Sequence, residues 1–573
     1  MIRTGMSSVT ALPARLRKSR YISWFGHMGA VYLFHDLYGY LMEMSPDIAE
    51  MIEAFGEGVD TKETVEYYKG RLGDADPQQF VEILAGHAVF VDPKEDELDG
   101  IWAFVPIHGK WNVWQRRDDR LTLWTAWGDR PVQQILLDAD ETAIWDAFDG
   151  NKRLIELRHH HDNAKIVSLV RKLVHSDVQA LKLSMMPWSV YAKRPAMAPA
   201  YLASTMPYAR WQVGTRVPGF REAVAGDARS SMSVISPSEY YKHDVTDPEA
   251  QFDHQETTLS HLLRIGHPAL GGRTYGQKLI DVLVARGKIP EGRVRVLEIG
   301  AGLGYVARDA ITALSDAGRT VEYTIVELAP ALAKAQQELI GKTCATWVMG
   351  DVLAVDLAAG SFDLILSNEM AGDLPAIQLT RAALGLEADQ GNVDREKLQR
   401  YSKIAADRNV NLDDAPEPFY LMTGAFDLIE RIERWLAPSG FAVVTEFGDQ
   451  SAWPKLSTHL DHPELSTHFG QLHQLAKVAG FDAKIEFVID LLDFDRDQKG
   501  LATTRSHFRA LRALAAGADL DLPKIGYTPE LLAQTVGDKL TLAQIGELRW
   551  DRIEDRLMGL VPHEFKALLI QRT

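Results

Sequence analysis

The sequence predicts a two-part α/β protein, in which a small tandem α+β region precedes a larger domain built on a parallel sheet. Three observations predict it: a gapless internal repeat in the first third, a proline-rich stretch after it, and, beyond residue 248, short apolar runs that alternate with amphipathic helices. The chain of 573 residues exceeds one compact core, and its length suggests roughly three to five domains. Hydrophobic residues make up 46% and charged residues 25%, the balance of an ordinary globular protein.

Charge and cysteine content narrow the function classes. A net charge of −17 repels a phosphate backbone, and no segregated basic patch offsets it, so nucleic acid is not an expected partner. No run of about 18 apolar residues occurs, so a membrane span is not expected either. The single cysteine, Cys344, excludes an internal disulfide and a cysteine metal cage, and it suits a reducing compartment. The expected location is cytoplasmic. The mitochondrial matrix is the alternative, because Arg3, Arg15, Arg17, Lys18 and Arg20 stand without an acid in residues 1–20, here read as a basic tail.

The repeat aligns Met44-Ser-Pro-Asp-Ile-Ala-Glu-Met-Ile-Glu-Ala-Phe55 with Leu137-Asp-Ala-Asp-Glu-Thr-Ala-Ile-Trp-Asp-Ala-Phe148. Ser45 is a natural N-cap with Pro46 at the first helical position, and Ile48, Met51, Ile52 and Phe55 fall on one helical face. A strand-like stretch precedes each helix, Val31 to Met44 (with Gly39 in a hairpin turn) and Leu121 to Leu137. Two further amphipathic segments follow each, Thr61 to Leu72 and Pro77 to Leu84, then Leu154 to Arg158 and Ala164 to Val174. Residues 21–95 and 96–191 thus form two small winged-helix-like units. Leu33-Phe-His-Asp-Leu-Tyr-Gly-Tyr-Leu41 followed by Met44-Ser-Pro-Asp-Ile-Ala49 resembles the PqqD-like recognition element of enzymes that modify ribosomally made (RiPP) precursor peptides. The resemblance implies that a leader peptide adds as a strand to the edge of a small sheet. Packing on the catalytic domain, or homodimer formation, is the plainer alternative.

The stretch from about Ala192 to Pro248 carries prolines at 195, 199, 207, 218, 237 and 248, and residues 192–247 read as a linker or strap. The second domain, 248–573, opens its chemistry at Val294-Arg-Val-Leu-Glu-Ile-Gly-Ala-Gly-Leu-Gly304, a buried strand running into a glycine turn and then a helix. Gly300, Gly302 and Gly304 let the backbone turn sharply and approach a ligand at a helix start. A dinucleotide fingerprint needs glycine at position 305, where Tyr305 stands. Instead Glu298 precedes Gly-x-Gly-x-Gly, which resembles the Rossmann-like class I methyltransferases and implies S-adenosyl-L-methionine as cofactor. Tyr323-Thr-Ile-Val-Glu327 ends a second strand in an acid placed to accept a ribose diol. Trp347-Val-Met-Gly-Asp351, with Val352 next, resembles the adenine-binding position, and Phe362-Asp-Leu-Ile-Leu-Ser-Asn-Glu369 is a fourth strand with polar groups at its carboxyl end.

The order of motifs resembles the MidA family, which includes complex I assembly methyltransferases acting on protein arginine. It rests on Leu297 to Gly304, Val326-Glu-Leu-Ala-Pro-Ala-Leu332, Ser367-Asn-Glu-Met-Ala-Gly-Asp-Leu-Pro375, Thr445-Glu-Phe-Gly448 and Met558-Gly-Leu560 with Phe565-Lys-Ala-Leu568. Two departures imply a changed acceptor pocket: Gly372 replaces the family's acid, with Asp373 one position later, and Glu446-Phe447 replaces Asp-Tyr. If the acceptor is a guanidinium, Glu369 is the carboxylate expected to hold it, Asn368 orients substrate or cofactor, and Asp373 and Glu446 are second choices. A charged helical insertion at about 383–415 reads as an ordinary surface insertion, with a cap over the site as the alternative. The histidines at 159–161, and His459, His462, His468 and His473, lack a fixed ligand spacing, so no metal is expected. The function expected is methylation of a peptide or protein side chain gripped by the N-terminal tandem. A small-molecule methyltransferase of specialised metabolism and a non-catalytic assembly factor are the rival readings.

Overall fold

The computed structural model describes residues 12–27, 30–38, 40–73, 75–109, 111–126, 131–175, 177–187, 189, 232–254, 258–379, 395–416, 418–459, 462–546 and 548–572. They fall into two compact units. Unit 1 is Met1–Arg229 with Thr503–Leu522 and Thr535–Leu548; unit 2 is Ser230–Ala502 with Pro523–Gln534 and Arg549–Thr573. The division into a tandem before 192 and a catalytic domain from 248 to the C-terminus therefore needs amending, because two C-terminal segments belong with the tandem.

Unit 1 repeats one topology. In the first copy, strand Arg15–Lys18 leads into an antiparallel meander, Ile22–His27, Ala30–His35 and Leu41–Met44. Helices Pro46–Ala54, Thr61–Tyr68 and Pro77–Gly86 follow, and strand Phe90–Val91 returns to pair with Arg15–Lys18. In the second copy, Val105–His108 leads into Asn112–Arg117, Arg120–Thr125 and Gln133–Leu137. Helices Ala139–Ala147, Leu154–Leu157 and Asn163–Val174 come next, and Leu181–Ser184 returns to Val105–His108. The hairpins share one register, since Ile22 faces His35 and Asn112 faces Thr125, both 90 positions on (112 − 22 and 125 − 35).

The first cap is the one the sequence indicates: Ser45 accepts the Ile48 N–H at 3.4 Å. In the second copy Asp138 closes a capping box with Glu141. Met51, Ile52 and Phe55 are buried in the first core, and Ile144, Trp145 and Phe148 in the second. The turn at Gly39 lies outside the described residues. Lys182 of the second copy, fully buried, donates to the Asp36 carbonyl of the first at 2.8 Å and so ties the copies together.

Residues 15–20 are not a tail. Arg17 is buried and ion-paired to Glu97 at 2.6 Å, because its strand is stitched between Val59–Asp60 and Phe90–Val91. At the other end of unit 1, helix Arg505–Ala516 packs on the second meander, and strand Ile545–Gly546 extends it by pairing with Gln115 and Trp114.

Unit 2 is built on a twisted sheet. Its first strand Arg293–Ile299, second Thr320–Glu327, third Thr346–Met349, fourth Phe362–Asn368 and fifth Leu436–Asp449 lie parallel in the spatial order 3-2-1-4-5. The C-terminal strand Phe565–Gln571 inserts antiparallel between the fifth strand and Asp482–Phe487. Both faces are covered by helices, which is why the central strands read as nearly unbroken apolar runs. The order reverses beside the first strand, and the crevice at that point is where doubly wound sheets take ligands.

The supposed linker is part of this unit from residue 232 onward. Strand Met232–Ile235 pairs with Ala376–Leu379, and helices Ser238–His243 and Pro248–His254 follow. Residues 192–231 lie outside the described residues. Of the insertion, helix Arg395–Asp407 is described; Tyr401 and Ala405 bury against the core, and Arg408 pairs with Glu433 at 2.9 Å. It packs on helix Thr423–Trp435 and adds nothing to the cavity below. Among the described residues, no helix is long and apolar enough to cross a membrane.

Candidate functional site

The carboxyl ends of the first, second and fourth strands open into a cavity of about 1120 Å³, solvent at its mouth included. Its floor is the glycine turn. Gly300, Gly302 and Gly304 have φ of +66°, +52° and +87°, a left-handed path that glycine follows without strain. A Cβ on Gly300 would sit 2.8 Å from Met370 Cγ, and one on Gly304 3.2 Å from Gln336 Cγ. The turn thus lies as close to its neighbours as a bare backbone permits, and Gly304 caps helix Tyr305–Asp316.

Three acids stand round that turn. Glu298 is buried beneath it and accepts the Tyr323 hydroxyl at 2.6 Å; burial lifts its pKa to about 7. Glu327, at the end of the second strand, accepts the Ala329 N–H at 2.9 Å and the Gln336 amide at 2.7 Å. Burial lifts its pKa to about 7 as well, against those hydrogen bonds. Asp351 accepts the Leu353 N–H at 2.8 Å, and Val352 beside it is buried in the cavity wall. Of the residues expected at a cofactor site, Glu298, Gly300, Gly302, Glu327, Asp351, Val352 and Asn368 line this one cavity; Gly304 does not, and serves instead as the cap of helix Tyr305–Asp316.

The residues expected to meet the acceptor divide. Asn368, Glu369 and Asp373 line the cavity; Glu446 does not. Glu446 is buried behind the wall, where it accepts the Gly372 N–H at 3.0 Å and the Phe447 N–H at 2.8 Å. Burial, with Asp373 and Glu369 nearby, raises its pKa well above the usual range, so its role there is structural.

Glu369 has φ of +51°, a costly conformation for a side chain of its size. That twist turns its carboxylate onto the N–H groups of Leu259 (2.8 Å) and Ser260 (2.9 Å). Asn368 donates to Ser260 Oγ at 3.0 Å and accepts from Thr445 at 2.8 Å. Glu369 is therefore an anchor for the start of helix Leu259–Leu262 as well as a wall of the cavity.

Several lining residues were not foreseen: Tyr241, Phe252, Ser260, His261 and Met370. Phe252 Cε1 comes within 3.5 Å of where a Cβ on Gly302 would stand, and Tyr241 donates to Asp373 at 2.6 Å. His261 is pushed down to about 4 by burial. A signal for Phe252 was available, because Pro248 stands at a first helical position rather than as loop punctuation. Of the clustered histidines, His468 caps helix Phe469–Val478 and His473 bonds the Ala483 carbonyl at 3.0 Å. The side chains of His459 and His462 lie outside the described residues.

Part of this chain is similar to known proteins. Residues 276–458 match a family model described as "Putative S-adenosyl-L-methionine-dependent methyltransferase". A malonyl-[acyl-carrier protein] O-methyltransferase of Anoxybacillus flavithermus is 32% identical over 95 residues, 17% of this chain. That match spans 35% of the relative's own length. Among solved structures, a protein of Burkholderia thailandensis bound to S-adenosyl-homocysteine is 18% identical, covering 61% of this chain and 90% of that one at a TM-score of 0.30. The [4+2]-cyclase SpnF is 16% identical, covering 52% and 80% at a TM-score of 0.27. Unit 2 therefore carries an S-adenosylmethionine-dependent methyltransferase domain, and S-adenosylmethionine is its cofactor.

Proposed function

We propose that the whole chain methylates a nitrogen of a peptide or protein side chain, arginine being the leading acceptor, and that it belongs with the MidA-like enzymes. The observation that carries this reading is the charge of the cavity. Five carboxyl groups, Glu298, Glu327, Asp351, Glu369 and Asp373, line it, of which burial keeps Glu298 and Glu327 partly protonated near neutral pH; among the described residues no lysine or arginine lines it. A carboxylate acceptor would meet like charge there, whereas a cationic or N–H-rich acceptor is attracted and oriented.

The residues divide the work. Glu327 holds the ribose diol, Asp351 and Val352 hold the base, and the turn from Gly300 to Gly304 lies along the amino-acid end. Bound S-adenosylmethionine supplies a methyl carbon activated by a sulfonium, so the protein's own task is alignment and exclusion of water. Phe252 and Met370 furnish the apolar walls for that exclusion.

For unit 1 we infer a PqqD-like role, the capture of an extended segment of the substrate, with a precursor peptide as one candidate. Support comes from strand Ile545–Gly546, which pairs antiparallel with Gln115 and Trp114 at the side of the second meander in the way an added strand would. Tethering by that unit would raise the local concentration of the target side chain.

The test is to incubate the full-length protein and a host extract with cofactor carrying a tritiated methyl group. Label in acid-precipitable protein or peptide, released as methylarginine on hydrolysis, is the expected result. Label confined to small molecules would favour metabolite methylation. Binding of cofactor without any transfer would favour the assembly-factor reading.

A further inference from the structure

We propose that Tyr241, paired with Asp373, selects the methyl acceptor, admitting groups that donate N–H hydrogen bonds and turning away carboxylates. This rests on the methyltransferase reading above and adds a residue from the stretch whose prolines read as a linker. Tyr241 sits on helix Ser238–His243, lines the cavity, and donates its hydroxyl hydrogen to Asp373 Oδ2 at 2.6 Å.

The hydrogen-bonding inventory gives the pair its preference. A phenol whose hydrogen is committed to a carboxylate has only oxygen lone pairs left to offer, and the carboxylate itself only accepts. Glu369, also in the lining, adds a carboxylate to the pair, although its oxygens already accept the Leu259 and Ser260 N–H groups. An amine or guanidine can place one N–H on Asp373 and another on the Tyr241 oxygen; a carboxylate has no hydrogen to place and meets like charge. His261, among the described residues the one lining side chain able to become cationic, is held neutral by burial and does not reverse that preference.

The backbone fixes the pair's geometry. Strand Met232–Ile235 pairs antiparallel with Ala376–Leu379, Ile235 facing Ala376. Ala376 follows Asp373 by three positions and Tyr241 follows Ile235 by six, so two hydrogen-bonded segments carry the two partners to one spot. The phenol is thus positioned by sheet register rather than by a free loop.

The experiment uses the full-length protein saturated with S-adenosyl-homocysteine, and calorimetry with two probes, N-acetyl-arginine methylamide and malonate. The guanidinium probe should bind and malonate should not. Y241F should weaken the guanidinium probe about tenfold, and D373N by at least as much, while S-adenosyl-homocysteine affinity stays within twofold of wild type. Unchanged probe affinity in Y241F, no binding of the guanidinium probe to the wild type, or malonate binding as well as the guanidinium would each overturn the proposal. Wild-type protein that binds no S-adenosyl-homocysteine would instead overturn the methyltransferase reading along with it.

Discussion

Replacing Glu327 by glutamine tests the cofactor site where the structure allows a magnitude. Both carboxylate oxygens face donors, the Ala329 N–H at 2.9 Å and the Gln336 amide at 2.7 Å. A glutamine has one oxygen, so its NH2 must confront one of those donors, and a buried donor left unsatisfied costs about 1–3 kcal/mol. The variant also loses the charge that strengthens bonds from a ribose diol, each worth about 1.5–3 kcal/mol. Part of the first cost falls on folding alone, which leaves about 3 kcal/mol for the ligand, or roughly a hundredfold in Kd. Calorimetry with S-adenosyl-homocysteine at pH 8 measures it, with a thermal melt to confirm that E327Q folds. A Kd within threefold of wild type would refute the assignment of Glu327 to the sugar.

Gly300→Ala should abolish cofactor binding, because φ is +66° and the new methyl would stand 2.8 Å from Met370 Cγ; equilibrium dialysis checks it. Apo stability should fall as pH rises from about 4.5 to 7. The folded pKa values of Glu298 and Glu327, about 7, exceed their unfolded values, so the folded state holds protons that the unfolded state has released. The loss should be on the order of a few kcal/mol, read as a lower urea midpoint at pH 8 than at pH 5. Gly546→Ala would bring a Cβ to 1.9 Å from Trp114 Cε2 and should dislodge the added strand. Hydrogen exchange at Gln115 and Trp114 should then quicken, and unchanged exchange would contradict the pairing. Trp435→Ala removes a fully buried side chain from the core of unit 2 and should cost about 3–5 kcal/mol in urea unfolding.

Local chemistry was legible in the sequence wherever one segment carries it whole. The strand, glycine turn and helix from Val294 to Leu314 form a contiguous pattern, as do the acids at the ends of the next strands. The tandem was visible through helix Pro46–Ala54 and its counterpart, because a cap, an apolar face and a following turn all fall within twelve residues. Proline counting misled at 232–248, where Pro248 starts a helix and the strand before it has its partner about 140 residues away. Glu446 looked like a site residue from its motif, yet a strand-end acid can turn to either side of the sheet. Here it turns to the Gly372 amide.

From sequence alone came the class of the second domain, its glycine turn and the doubling of the first, since each depends on spacing within a few tens of residues. Tertiary structure decided the rest. It assigned residues 503–522 and 535–548 to the tandem unit, brought Tyr241 onto Asp373, and turned Glu369 towards the Leu259 and Ser260 amides. Each of these is a meeting of groups more than a hundred positions apart. Such contacts are set by sheet order and packing, to which no local periodicity refers.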